Sequence, residues 1–235
     1  MQSKAPYRPM ATGTCLKRGS LGDVFLVQTN DGARIVRELR SARSGCRWIA
    51  RRLARREARA LIRAHGLDGI PNLIALEPDC LIRTAFEGQA MHRAPTPSAA
   101  YFRQALHLLR RLHGARVTHN DLAKEANWLC LPDGGPAMVD FQIAGVFRKR
   151  GRLFRLLARE DLRHLLKHKA HYQPNALSLR QRKLLANRSL PARALKLVFK
   201  PIYRLTTRKL LGWPERNGAD ERERPSSVEL SDPSK

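Results

Sequence analysis

One stretch of the chain carries side chains able to do phosphate chemistry. The segment Leu112-His113-Gly114-Ala115-Arg116-Val117-Thr118-His119-Asn120-Asp121-Leu122 ends a helix-like run and delivers an aspartate onto a loop. Asn127 then precedes the strand-like Trp128-Leu129-Cys130-Leu131, and Val139-Asp140-Phe141 follows thirteen residues after Asn127. Phosphoryl transfer calls for this set: one carboxylate to orient an acceptor hydroxyl and take its proton, and a carboxylate with a carboxamide oxygen to hold Mg²⁺ on the phosphates. Hard oxygen donors suit that cation.

The flanking patterns define the elements that must position these groups. Val24 to Val27 and Ile35 to Val36 are β-rich runs separated by Asn30-Asp31-Gly32, strong hairpin chemistry, and Gly19 and Gly22 lie in the loop before them. Trp48 to His65 reads as a helix with Leu53, Leu61 and Ile49 or Ile62 on its apolar stripe and arginines elsewhere. Glu57 is four residues from both Leu53 and Leu61, so it faces inward and needs a cationic partner. Pro71 to Ile74 and Cys80 to Phe86 read as further strands, and Glu87-Gly88 breaks the pattern as an inter-lobe hinge would. Ser98 starts a helix that Gly114 ends; Asn127 to Leu131 and Ala137 to Phe141 read as short strands, and Leu153 to His168 as a helix.

Composition narrows the partners. At 235 residues and 43% hydrophobic content the chain can bury one sizeable core or two small ones. A formal charge of +25 favours anionic partners such as nucleotides, nucleic acid or acidic membrane surfaces. Cys15, Cys46, Cys80 and Cys130 form no CxxC pair, which argues against zinc and against a secreted disulfide framework. MQSKAPYRPMATGTC holds no signal-peptide core, and no run approaches the roughly 18 apolar residues of a membrane span. The expectation is a cytoplasmic protein, free or at the inner face of the membrane. Gln173 to Trp213 contains ten Lys or Arg and no Asp or Glu. Its Arg193 to Lys209 part reads as a basic helix packed on the body of the protein, with acidic-lipid contact as the second reading and nucleic acid third.

In these features the chain resembles the protein-kinase-like superfamily, whose catalytic loop runs His-x-Asp-x-x-x-x-Asn and whose metal-binding Asp precedes Phe-Gly; the likeness covers about Cys15 to Phe141. It is similar to the compact bacterial Kdo and heptose (lipopolysaccharide core) kinases and to RIO-type kinases. The resemblance implies an α+β, two-lobed fold with a β-rich N-lobe plus one helix and a reduced, mainly helical C-lobe. The expected segments are an N-terminal extension at 1–14, the N-lobe at 15–88, the C-lobe at 89–172, a basic helical extension at 173–213 and a disordered tail at 214–235. By the same resemblance Asp121 is the catalytic base and Asn127 and Asp140 hold Mg²⁺. Gly19 and Gly22 cover the ATP phosphates, Val24 lies over the adenine, and Arg37 paired with Glu57 binds phosphate.

Several positions depart from the family pattern. Arg37 stands where the family has lysine, with Lys17 as an alternative source of that charge, and a guanidinium differs from an ammonium in shape and reach. Five residues rather than four separate Asp121 from Asn127, so the loop must bulge; Lys124 within it is the candidate for steadying the transferred phosphoryl group. Asn120 replaces the arginine used to read a phosphorylated activation loop, and Gln142 replaces the glycine after Asp140-Phe141. Asp161 reads either as a support beneath the catalytic loop or as a helix-terminus carboxylate. The short basic Arg148-Lys149-Arg150-Gly151-Arg152 run, with no Ala-Pro-Glu after it, suits a small or anionic acceptor better than a peptide. The implied activity is ATP-dependent phosphate transfer to a hydroxyl, on a protein Ser/Thr or a lipopolysaccharide sugar. The competing expectation is a catalytically weak pseudokinase that binds nucleotide or partners as a scaffold.

Overall fold

Strands β2 (Asp23–Thr29) and β3 (Gly32–Glu38) form a hairpin around Asn30-Asp31, in register from Asp23 opposite Glu38 to Thr29 opposite Gly32. Thr29 Oγ1 donates to the Gly32 carbonyl at 2.6 Å, closing the turn. The computed structural model describes residues 13–186, all within the compact unit Met1–Leu195. Most of the N-terminal extension, residues 187–213 with the Arg193 to Lys209 helix, and the tail at 214–235 lie outside the described residues.

β1 (Thr14–Lys17), β4 (Leu73–Leu76) and β5 (Cys80–Thr84) complete an antiparallel sheet in the order β1-β2-β3-β5-β4. Strand periodicity sorts its side chains. Val36 and Ile82 are opposite each other and pack with Val27 and Cys80 on one face. Arg37 opposite Leu81, and Ile35 opposite Arg83, alternate with them and point to the other face. β4 starts two residues later than the pattern Pro71 to Ile74 suggests: Pro71 has no N–H for a ladder, and Asn72 instead exchanges bonds with Thr84 at 2.9 and 3.0 Å.

Helix α1 (Arg47–Arg63) covers the face carrying Arg37 and Arg83. Of the stripe expected from the sequence, Leu61 is buried, Ile49 and Leu53 are half-buried and Ile62 is 62% exposed; Ala50, Ala54, Ala58 and Ala60 fill the rest of the buried face, together with Glu57. Alanines let the helix approach the sheet closely enough for a carboxylate to reach a strand guanidinium. Leu39, Ala42 and Leu81 pack against that stripe, while Ala60 and Leu61 run on into the second core.

That second core surrounds α2 (Ala99–Gly114), whose N-terminus is capped by Ser98 Oγ accepting from the Tyr101 amide at 3.1 Å. Phe102, Leu109 and Leu112 pack with Trp128, Phe141 and Leu165, all 1% exposed or less. Truncating one of the large aromatics to alanine costs about 3–5 kcal/mol at such sites. α3 (Arg152–Tyr172) lies against α2; after a 3₁₀ turn, α4 (Leu179–Ala186) packs on α3. Two small sheets close the core: β6 (Gln89–Ala90), β8 (Trp128–Cys130) and β9 (Pro136–Met138), and β7 (Val117–Thr118) with β10 (Gly145–Val146). β9 ends before Asp140, because Val139 donates to the Asn127 carbonyl at 3.0 Å and Asp140 then turns to φ 66°. The fold is mixed α+β, and no helix among the described residues is long and apolar enough to cross a membrane.

Candidate active site

The loop after β7 is shaped from beneath. Asp161 sits mid-helix in α3, 1% exposed, and its two oxygens accept the backbone amides of His119 and Asn120, each at 2.8 Å. His113 Nε2 lies 3.2 Å from the same carboxylate. This decides between the two roles read for Asp161: it is a loop support, far from either helix end. Asn120 adopts φ 70°, a left-handed conformation that asparagine tolerates better than most side chains, and its Nδ2 donates to the Ile143 carbonyl at 2.8 Å. His119 is wholly buried, lies against Phe141 with ring centroids 4.6 Å apart, and reaches the Val139 carbonyl at 2.9 Å. Since a carbonyl only accepts, Nε2 carries the hydrogen. His119 thereby pins the loop to the segment bearing Asp140.

The loop then presents Asp121, whose Oδ2 accepts from Lys124 Nζ at 2.8 Å and from Asn127 Nδ2 at 3.0 Å. Asn127 Nδ2 also reaches the Asp121 carbonyl at 2.9 Å. The extra residue is absorbed by a 3₁₀ turn over Glu125–Asn127, with the Asn127 amide on the Lys124 carbonyl at 3.2 Å. Two contacts from α3 hold this turn: Tyr172 Oη donates to Glu125 at 2.9 Å, and His168 Nε2 donates to the Leu122 carbonyl at 2.8 Å. Burial pulls His168 below its ordinary pKa, outweighing the pull of that bond and of Glu125, so the ring is neutral.

Asp140 occupies a left-handed backbone conformation that non-glycine residues adopt rarely, a form of strain that tends to cluster at functional sites. Its Oδ1 accepts from Gln142 Nε2 at 2.7 Å and lies 4.0 Å from Arg37 Nη2. Burial alone would raise its pKa; Arg37, the Gln142 bond and Lys124 outweigh it and hold the carboxyl below its ordinary range.

Arg37, 11% exposed at its side chain, also places Nη1 3.4 Å from Glu57 Oε2, the pairing expected from the sequence. Sequence reasoning missed the second cation: Arg83 Nε lies 3.3 Å from Glu57 Oε1, with its side chain 10% exposed. The signal was a lone charge in the apolar run Cys80-Leu81-Ile82, which period-two alternation places on the α1 face. Burial lowers the pKa of Arg83 while Glu57 raises it, and a guanidinium stays charged regardless. Neither contact is aligned as a hydrogen bond on the fully buried Glu57, so charge rather than directional bonding holds the cluster.

Arg37, Glu57 and Asp140 therefore form one group, and Asp121, Lys124 and Asn127 another, joined through His119 and the bond from Val139 to Asn127. The glycine loop adjoins them through β2, where Val24 is opposite Arg37 and Lys17 is opposite Val24, and through Leu21, which packs against the α1 stripe. Gly22 has a local reason to be glycine: φ is +105°, and a Cβ would stand 2.2 Å from the Glu38 carbonyl oxygen. Gly19 donates its amide to Asp23 Oδ1 at 3.2 Å and would accept a Cβ, whose nearest contact is 3.8 Å away. The ion pairs to Glu57 come from Arg37 and Arg83, not from the exposed Lys17.

The donor set suits a hard divalent cation. Asn127 directs its amide hydrogens at Asp121, which leaves Oδ1 as its coordinating atom, and Asp140 supplies a carboxylate that stays ionised. Among the described residues no group of three His, Cys, Asp or Glu side chains forms a metal cage; Mg²⁺ commonly uses one or two carboxylates with waters and substrate phosphates instead. No protein-family model and no curated protein sequence matches the chain.

Proposed function

We propose that the chain is an ATP-dependent phosphotransferase of the protein-kinase-like type, transferring the γ-phosphate of Mg-ATP to a hydroxyl acceptor. The observation that carries this reading is the meeting of residues distant in sequence: Arg37 bridges Glu57 and Asp140, while Asp121 is held by Lys124 and Asn127 beside them. The sheet covered by α1 corresponds to an N-lobe at 15–88, and the core around α2 and α3 to a reduced C-lobe at 89–172.

Asp121 orients the acceptor hydroxyl and takes its proton as the acceptor oxygen bonds to the γ-phosphorus and the bond to the bridging oxygen of the departing ADP breaks. Lys124, already on Asp121, steadies charge on the transferred group. Asn127 and Asp140 would hold Mg²⁺, which neutralises phosphate charge when bound. Arg37, kept in place by Glu57, reaches for the nearer phosphates; Gly19, Gly22 and Val24 frame the nucleotide from β1 and β2. The acceptor is a protein Ser/Thr or a lipopolysaccharide core sugar, met in the cytoplasm or at the inner membrane face. The short basic run at 148–152 favours the anionic sugar.

The test is incubation with radiolabelled ATP, Mg²⁺ and cell extract separated into protein and lipopolysaccharide fractions. Label should enter one fraction, and Asp121→Ala should keep nucleotide binding while losing transfer. Undiminished labelling by that variant overturns the reading. A pseudokinase scaffold is the second reading, favoured by the Gln142 amide already on Asp140 Oδ1 and by arginine at position 37. Autophosphorylation that disappears in Asp140→Ala would exclude it.

A further inference from the structure

On another part of the surface, an open groove of ≈ 520 Å³ has Arg59, Ile62 and Arg63 of α1 on one side and Arg116 and Val146 on the other. It continues past Phe147 to Arg148. No carboxylate lines it, and among the described residues these arginines have no acidic side chain within ion-pair distance. Backbone carbonyls hold the guanidiniums in place instead. Arg63 Nε donates to the Ala115 carbonyl at 3.1 Å, Arg59 Nε to the Arg55 carbonyl at 3.3 Å, and Arg116 Nη1 to the Arg148 carbonyl. A guanidinium has five N–H donors, so each keeps most of them for a ligand and loses little freedom in binding one.

The surrounding charge points the same way. Arg56, tied to the Ala144 carbonyl at 2.6 Å, is pulled below its ordinary range by burial and then by Arg59 and Arg52. Clustered cations without an acidic partner gain from an oxyanion, and forked donors suit phosphate. Ile62, 62% exposed, and Val146, 43% exposed, add apolar walls for the organic part of a phosphate ester.

We infer that this groove binds a phosphate group, free or carried on an organic ester such as a lipid headgroup, through Arg59, Arg63 and Arg116. The inference does not depend on phosphate transfer at Asp121. Its walls come from the helix that carries Glu57, the turn leading into His119, and the strand that follows Asp140, so a bound phosphate ties those three segments together.

Calorimetric titration with sodium pyrophosphate, against sodium chloride at equal ionic strength, tests it on the wild type, Arg63→Gln/Arg116→Gln, Arg59→Gln and Arg37→Gln. Binding should persist in Arg37→Gln and weaken at least about tenfold in the double variant. Arg59, whose bond stays within its own helix, gives a second variant that leaves the fold intact. Flotation with phosphatidic acid vesicles, against phosphatidylcholine, separates the sources: loss in the Arg63/Arg116 variant on vesicles alone identifies a lipid headgroup, and loss in solution alone a soluble phosphate. Undiminished binding by both groove variants, binding lost only in Arg37→Gln, or no wild-type binding above chloride in either arm overturns the inference.

Discussion

Glu57 is the single anion between two buried cations, and removing it should cost more than removing either partner. Its oxygens lie 3.4 Å from Arg37 and 3.3 Å from Arg83, and the carboxylate is 0% exposed. At an effective dielectric constant near 20 each such pair is worth about 5 kcal/mol of Coulomb attraction, offset by the desolvation of its members. Glu57→Gln leaves two guanidiniums facing each other with Asp140, 4.0 Å from Arg37, as the remaining nearby carboxylate; a loss of about 3–5 kcal/mol is expected for such an uncompensated buried charge. Arg83→Met leaves a one-to-one pair of Glu57 with Arg37 and fills the space with apolar atoms, so it should cost under about 1.5 kcal/mol. In the double variant Arg37 keeps Asp140, and its loss should fall short of the sum of the two single losses by about 1–3 kcal/mol. Urea unfolding followed by far-UV circular dichroism on all four proteins measures the cycle. If Arg83→Met proves as costly as Glu57→Gln, or the two effects simply add, the shared-anion account is wrong.

Gly22→Ala should destabilise the chain by more than about 2 kcal/mol, because φ of +105° and the Glu38 carbonyl both oppose a Cβ, whereas Gly19→Ala should be nearly neutral; thermal melts compare the two. His168 has a lowered pKa from burial, so its contribution is complete above the ordinary histidine value of 6.5 and fades as pH falls through the lower folded value. Stability measured between pH 7.5 and pH 5 should therefore drop less steeply in His168→Asn, as roughly one proton uptake is removed. An unchanged slope would mean that another group controls the acid side.

The β2–β3 hairpin, the capped α2 and the inward Glu57 were legible because each follows from local chemistry: a turn-forming dipeptide, a serine before an apolar run, a charge on an apolar stripe. The pairing of Arg37 with Glu57 was legible from an inward acid in need of a base. What the sequence hid was the identity of competing partners. Alternation alone puts Arg83 on the α1 face, but that Arg83 rather than Lys17 joins Glu57 depends on the register of β5 against β3. The alanine part of the buried stripe of α1 was not legible because alanine gives little periodic signal, although its small size sets the helix-to-sheet spacing. Likewise the turn over Glu125–Asn127 rests on His168 and Tyr172, more than forty residues downstream.

Asp161 also sets a lower limit on how much chain the loop needs. A fragment ending before Arg152 would keep His119, Asp121, Asn127 and Asp140, yet the amides of His119 and Asn120 would lose both acceptor oxygens, and the core would lose Leu165 and Leu166. A hydrogen bond to a charged group contributes about 1.5–3 kcal/mol, so losing two lets the segment rearrange and carry Asp121 off its bearing. The smallest piece that keeps this geometry must therefore include α3 through Tyr172, although no residue of that helix belongs to the motif.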